Sequence, residues 1–146
     1  MRISKKAEYA LRALVAMARH PKSWAIHELS EQERIPVKFL EQILLSLRRA
    51  GLLASKRGVG GGYALLKGPT DISLAEVVQI LDGPLAPVPC AAERPTERCT
   101  CPDPRTCPIR IVMSGFREEM AGWLANRTVD DLLRVSPGAD SLAFEI

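Results

Sequence analysis

The sequence predicts a mainly α-helical protein that carries one small β-hairpin and has a long helix near its C-terminus. Apolar residues recur at three- and four-residue steps through most of the 146 residues, which indicates helices. A glycine-dense segment separates two short β-prone runs, as in a hairpin. All four cysteines lie in one stretch rich in proline and charge, which interrupts the periodic pattern before the long helix begins.

The first part of the chain predicts three helices. Ser4 can cap the first helix, which ends at His20-Pro21, and residues 26–33 form a short second helix. The third helix opens at Ile35-Pro36, because the fixed φ of proline suits a first helical turn, and Gly51 is a natural C-cap. Its buried stripe consists of Val37, Leu40, Ile43, Leu44 and Leu47.

The hairpin and a fourth helix follow. Residues 52–57 and 63–67 are β-prone, and the backbone of the glycine-dense segment 58–62 can readily adopt positive φ. Asp71 or Ser73 caps the fourth helix, which Gly83-Pro84 ends before the cysteines.

The clearest helical pattern begins at Pro108 and is about 27 Å long. Such a long apolar stripe needs a partner, either the N-terminal domain or the same helix of a second chain. Asn126 is expected to end this helix in the left-handed conformation, and Thr128-x-x-Asp131 caps a last helix, 129–135. We expect residues 136–146 to form a flexible tail. The apolar stripe consists of Ile109, Val112, Met113, Phe116, Met120, Trp123 and Leu124.

The charge of the chain changes sign with position. Residues 1–70 carry 13 Lys and Arg against 5 Asp and Glu, a balance of +8, whereas residues 71–146 carry 7 against 12, a balance of −5. This division suggests a module that binds a polyanion, joined to a regulatory or assembly module. Ordinary solvated faces are the alternative. The glycine run lacks the Gly-Lys-Ser/Thr of a nucleotide loop, and the chain lacks Cys-x-x-Cys, so we expect no enzyme.

The order of three helices and a glycine-tipped hairpin is that of a winged helix-turn-helix, over residues 1–83. In such a DNA-binding domain the third helix lies in the major groove, and the hairpin, or wing, reaches phosphates or the minor groove. Glu41 and Gln42 suit base edges, although Glu41 could also be a solvated helical carboxylate. Arg57 beside Gly58 is a candidate minor-groove probe. Lys38, Arg48, Arg49 and Lys56 would neutralise phosphates.

The cysteines occupy a loop, 84–107, that lacks helical or strand periodicity. No run of eighteen apolar residues and no apolar signal at residues 1–6 is present, so we expect a cytoplasmic protein without a membrane partner. In that reducing compartment, clustered thiols are more often metal ligands or redox sites than structural disulfides. The four candidate ligands are Cys90, Cys99, Cys101 and Cys107.

The spacing of the cysteines favours an iron–sulfur cluster over zinc. Thiolates suit both, but a zinc knuckle offers two tight Cys-x₂₋₄-Cys pairs, which this loop lacks. The step from Cys99 to Cys101 does not easily place both sulfurs on one small tetrahedral ion. A zinc-based regulator, or a thiol–disulfide switch between these two cysteines, remains the alternative.

Several motifs resemble those of the Rrf2 family of bacterial transcription regulators. They are residues 1–10, Leu40-Glu41-Gln42 within residues 35–44, Leu47-Arg48-x-x-Gly51-Leu52, and Arg57-Gly58-x-x-Gly61-Gly62-Tyr63. The resemblance covers about residues 1–135. It implies a homodimeric winged-helix repressor or dual regulator on a palindromic operator, with dimerisation through the long C-terminal helix in segment 108–135. It also implies that Glu41 reads bases and that Arg57 enters the minor groove. Phe39, beside Lys38 in the third helix, is a further candidate DNA-binding residue.

The resemblance extends to the cysteine loop. Cluster-binding members carry three cysteines there, matching Cys90, Cys101 and Cys107, so Cys99 is a spare thiol, a substitute ligand or the partner that displaces Cys101. In nitric-oxide-sensing relatives a carboxylate from the first helix of the partner chain completes the ligand set, and Glu8 stands at the matching place. The alternative for Glu8 is a carboxylate that the helix dipole favours. The implied cofactor is a 2Fe–2S or 4Fe–4S cluster that senses nitric oxide, redox or iron status.

Overall fold

The computed structural model describes residues 2–95 and 97–135. Its helices are α1 (Lys5–Arg19), α2 (Ile26–Glu33), α3 (Val37–Arg49), α4 (Leu74–Asp82), α5 (Pro108–Ala125) and α6 (Val129–Arg134), and its strands are β1 (Leu53–Lys56) and β2 (Gly62–Leu65). Single 3₁₀ turns lie at Pro69–Asp71 and Pro89–Ala91. The predicted fold class, mainly α with one small hairpin, is confirmed. The tail predicted at 136–146 lies outside the described residues.

Side-chain caps begin three of the helices. The Ser4 hydroxyl accepts a hydrogen bond from the Ala7 N–H at 3.1 Å, and Ser73, not Asp71, caps α4. Thr128 and Asp131 form a reciprocal capping box at α6, as the sequence pattern predicts. These caps satisfy backbone N–H groups that have no partner inside the helix.

Two predicted helix ends are wrong in detail. Pro36 is the N-cap of α3 and not part of its first turn, because its ψ of 131° is extended while its carbonyl already accepts from Leu40. Asn126 ends α5 with φ −88° and ψ 7°, which is not left-handed. Beyond it the chain pairs with the start of α4: Leu74 N–H donates to Arg127 O at 2.8 Å. This tertiary pairing, and not the local preference of asparagine, directs the chain out of α5.

The hairpin is antiparallel and receives a third backbone segment along one edge. Leu53 lies opposite Leu65 in the register, and Tyr63 exchanges two backbone hydrogen bonds with Trp24, of 2.7 and 2.8 Å. Gly62 is required beside this pairing: its φ is +151°, and an added Cβ would lie 2.2 Å from the Trp24 carbonyl oxygen. The loop between α1 and α2 is thereby attached to the base of the wing.

The hydrophobic core is organised around α1. Its buried face packs against α3, α4 and α6, and small alanines at positions 7, 10 and 13 allow these helices to approach closely. Trp24, Leu29, Ile72 and Val129 complete this core. The predicted stripe of α3 is buried except for Val37, which is half-buried at the helix start.

Helix α5 extends from this core and contacts α4 and the turn at Pro89–Ala91. Five of its large apolar side chains, Ile109, Ile111, Val112, Phe116 and Trp123, are between 49% and 64% exposed. The long helix is therefore confirmed, and most of its apolar surface has no cover within the described chain. Among the described residues, no helix is long and apolar enough to cross a membrane.

Candidate DNA interface and cysteine cluster

The turn between α2 and α3 determines how α3 is presented. Arg34 ends α2 in the left-handed conformation, at φ 52° and ψ 48°. The hydroxyl of Ser30, buried in the core, donates to the Ile35 carbonyl at 2.5 Å, and the Ile35 N–H donates to the Ser30 carbonyl at 3.0 Å. The sequence analysis did not single out Ser30 or Arg34. A strained, hydrogen-bonded turn of this kind holds the two helices at a fixed angle.

The outer face of α3 is free for recognition. Four leucine and isoleucine side chains are buried on its inner face, so Lys38, Phe39, Glu41 and Gln42 lie exposed on the opposite one. Phe39 is 46% exposed, although its ring packs edge-on against Tyr9 of α1 at a centroid distance of 6.5 Å. This face matches the residues that the sequence assigned to base edges and phosphates.

The basic residues near the wing have different environments. Arg49, Lys56 and Arg57 are exposed, and Gly58 beside Arg57 has φ +98°, a turn conformation that glycine adopts readily. The Arg48 guanidinium instead donates through Nη1 to the Ser55 hydroxyl of β1 at 3.0 Å. Arg48 therefore connects α3 with the wing in addition to carrying charge.

Glu8 lies near the start of α1 and pairs with Lys5. The Lys5 Nζ is 2.9 Å from Glu8 Oε2 and lies 5.3 Å from the centroid of the Tyr9 ring. Both side chains of the pair are about half exposed or more. Within the described chain the structure does not bring Glu8 to the cysteines, which belong to a different element.

The four thiols converge at the N-terminal end of α5. Cys107 is the N-cap residue of that helix and is buried, and its Sγ lies 3.8 Å from Cys101 Sγ. The Cys101 backbone N–H points to Cys99 Sγ at 3.5 Å. Cys90 and Cys99 line the same cavity, so the four predicted ligands lie close to one another.

Hydrogen bonds give these thiols different pKa values. The Cys101 N–H lowers the pKa of Cys99, and the Arg110 N–H in the first turn of α5 lowers the pKa of Cys107. Contact with Cys99, and then with Cys107, raises the pKa of Cys101 to about 11. Cys99 and Cys107 are therefore more acidic than Cys101, which lies between them in the sequence.

The donor set fits a soft, thiolate-bound metal group in its chemistry. A cavity of about 450 Å³ lies beside Cys90 and Cys99, with Arg98 and Arg110 on its wall. In the part of the chain that the structure describes, no three Cys, His, Asp or Glu side chains stand in the arrangement of a ready-made metal site. Metal binding would therefore require the loop to rearrange around the thiols.

A connection that the sequence analysis missed joins the end of α4, just before this loop, to α1. The Ser4 N–H donates to Asp82 Oδ2 at 2.9 Å, and the Ser4 hydroxyl also donates to the Asp82 carboxylate. Asp82 is the last residue of α4, where the cysteine loop begins. The only local signal was that Ser4 is a capping residue, since its partner lies 78 positions away.

The exposed face of α3, the turn that presents it and the basic wing define a DNA-binding transcription regulator with a winged helix-turn-helix. The comparisons with known proteins agree with this class. The chain belongs to the Rrf2 family: the family model, described as an iron-dependent transcriptional regulator, matches residues 3–135. The relatives are transcription regulators and not enzymes, as the sequence predicts.

Individual relatives match along most of their length. An rrf2-like HTH-type regulator of Rhodobacter capsulatus is 38% identical over 146 residues, 96% of this chain and 97% of that protein. The HTH-type transcriptional regulator IscR of Photobacterium profundum is 30% identical and is covered to 76%. The structure of CymR, the global cysteine regulator of B. subtilis, superposes with a TM-score of 0.73 at 26% identity and covers 94% of this chain and 99% of CymR.

Proposed function

We propose that this regulator is a homodimeric repressor whose binding to a palindromic operator is controlled by an iron–sulfur cluster in loop 84–107. The observation that carries the proposal is the proximity of the four thiols before and at the start of α5. The iron-dependent description of the family supports it. A cytoplasmic location belongs to the same proposal, because reduced thiols persist there.

The exposed apolar stripe of α5 supports a dimer. A two-fold dimer buries the same surface of both chains, and the exposed apolar side chains between Ile109 and Trp123 offer a long surface for such a contact. Two α3 helices related by this symmetry would read two half-sites about one helical turn apart. In each half-site Glu41 and Gln42 would contact bases, while Arg57 would enter the minor groove.

Cys90 and Cys107, together with Cys99 or Cys101, would hold the cluster, and Glu8 of the partner chain would complete the ligand set. When bound, the cluster supplies iron that reacts with nitric oxide and oxidants. The residues of this chain would couple the cluster to DNA binding, because drawing the thiols together orders the loop between Asp82 and α5. Asp82 holds Ser4 at the start of α1, which packs on α3.

A thiol–disulfide regulator is the second candidate. The Sγ atoms of Cys101 and Cys107 are 3.8 Å apart, and a rearrangement of modest size would join them. An organic hydroperoxide would accept the two electrons: both thiols lose a proton, an S–S bond forms, and the O–O bond breaks to give water and an alcohol. Cys101 with Cys107 is thus a candidate pair beside Cys99 with Cys101. A zinc-based regulator on the same thiols belongs to the same alternative.

The experiment is to isolate the protein without oxygen and to measure iron, sulfide, zinc and free thiols per chain. We expect a brown protein with thiolate-to-iron absorbance and about equal iron and sulfide. Colourless protein with stoichiometric zinc would exclude the cluster in favour of a zinc regulator. Metal-free protein that loses two thiols on peroxide treatment would instead support the disulfide.

A further inference from the structure

The start of α1 contains a lysine beside the DNA-reading helix that none of the assignments above uses. Lys5 is 63% exposed and lies over the ring of Tyr9, which in turn packs against Phe39. Phe39 follows Lys38 in the first turn of α3, the end of a recognition helix that approaches base edges. Through Tyr9 the Lys5 ammonium therefore lies near the first turn of α3, where a duplex bound to this helix would bring the phosphates that border the major groove.

The two cations around Tyr9 differ in their availability. Arg12 also lies over the Tyr9 ring, at 5.4 Å, but its guanidinium donates to the Glu33 carbonyl oxygen and lies 3.7 Å from the Glu33 carboxylate. The side-chain partner of Lys5 is Glu8, through both carboxylate oxygens at 2.9 and 3.0 Å. An exposed pair at this spacing is weak, so a better partner for either group readily separates it.

We propose that Lys5 is a further phosphate-binding residue, and that Glu8 neutralises it until Glu8 is drawn away. A carboxylate beside the ammonium repels an approaching phosphate and cancels the gain from counterion release. The trigger rests on the proposed function, in which Glu8 moves to the metal site of the partner chain. Glu8 cannot do this and remain paired with Lys5, so loading the loop would add one phosphate contact for each chain.

The switch can be tested first in metal-free, reduced, full-length protein. Glu8→Gln imitates the departure of the carboxylate, Lys5→Gln removes the cation, and the double variant combines them. Glu118→Gln is the matched control, because Glu118 pairs with Arg117 at 3.2 Å on α5, away from α3. The probe is a duplex of about 30 base pairs, which is long enough for two half-sites. It is selected from a random pool by binding to the wild-type protein.

We expect Glu8→Gln to raise duplex affinity about three- to tenfold at low salt. The plot of log K against log salt should steepen by about 0.9 for each chain that gains a phosphate contact. The gain should vanish in the Lys5→Gln background and be absent from Glu118→Gln. In the iron-loaded form, Lys5→Gln should bind the duplex more weakly than the wild type by a similar factor. In the metal-free form, the same substitution should lower affinity by less.

Other outcomes overturn the inference in distinguishable ways. An unchanged affinity of Glu8→Gln, or a gain that persists without Lys5, shows that the pair does not control a phosphate contact. If Lys5→Gln lowers affinity equally in the loaded and metal-free forms, loading of the loop does not release Lys5 from Glu8. In each of these cases the wild type still binds the duplex, and the proposed function stands. Failure of the wild type to bind any duplex overturns both.

Discussion

Among single residues, the hydrogen bonds distinguish basic side chains that the sequence assigned to the same role. Arg48, Arg49 and Lys56 all read as phosphate-neutralising cations, and all are exposed. Only Arg48 donates to the Ser55 hydroxyl, which ties the last turn of α3 to the first strand of the wing. We therefore expect Arg48 to position the wing and Arg49 to act mainly through its charge.

Replacing Ser55 by alanine tests this division without changing the charge. We expect DNA affinity to fall about two- to fivefold because one hydrogen bond that orients the wing is lost. The dependence on salt should stay unchanged. Arg49→Gln is the comparison, since it should lower the salt slope by about 0.9 per chain. Fluorescence anisotropy across a salt series measures both quantities. A Ser55→Ala protein with wild-type affinity would show that the contact does not position the wing.

The capping box at α6 predicts a pH-dependent contribution to stability. Hydrogen bonds from Thr128 lower the pKa of Asp131, so the folded state favours its ionised form. A carboxyl with a lowered pKa stabilises the fold above its ordinary pKa, and that contribution disappears as the pH falls through the lowered value. Asp131→Asn should therefore be less stable than the wild type at neutral pH, and the difference should shrink in acid. Urea unfolding at several pH values measures it, and a constant difference would contradict this role.

At the level of helices and strands, local signals predicted most boundaries, and the failures have a physical cause. Ser4, Ser73 and Thr128 cap their helices because a side-chain oxygen reaches a nearby N–H, a purely local event. The predicted left-handed end at Asn126 is wrong because backbone pairing with residues 72–74 directs the chain there. The backbone pairing of Trp24 with Tyr63 could not be predicted either, since it joins segments far apart in sequence.

Gly62→Ala tests the attachment of the wing to the loop between α1 and α2. An added Cβ would meet the Trp24 carbonyl at 2.2 Å, and the positive φ is unfavourable for alanine. We expect the free energy of unfolding to fall by about 2 kcal/mol, with weaker DNA binding through a displaced wing. Gly68→Ala is the control, because its φ is −66° and the nearest atom to its Cβ is 3.7 Å away. Equal stability of both variants in chemical denaturation would contradict the close approach.

At the level of the whole molecule, α5 carries an apolar stripe that stays exposed among the described residues. Phe116→Glu places a charge in the middle of this stripe, where Phe116 is 51% exposed. We expect the dimer to dissociate at least tenfold more readily, because burial of an unpaired carboxylate is costly. Sedimentation analysis measures the effect, and circular dichroism checks that the helices persist. A folded variant with unchanged dimerisation would exclude α5 as the interface.

The candidate site could be predicted only in part. The four thiols lie within one short segment, so their convergence followed from sequence, whereas their pairwise contacts did not. The connection from Asp82 to Ser4, and the contact of Tyr9 with Phe39, depend on how α1 packs against α3 and α4. These contacts join the end of α4, just before the loop, to α1 and the first turn of α3.

The most direct test is operator affinity measured with and without iron on the same protein preparation, for the wild type and for Cys107→Ser. Coupling energies typical of allosteric proteins predict that removal of iron weakens binding by wild type about tenfold. Cys107→Ser should retain the fold, hold less iron and bind the operator with one affinity under both conditions. Wild-type affinity that does not respond to iron, in protein shown to be loaded, would contradict control of DNA binding by the cysteine loop.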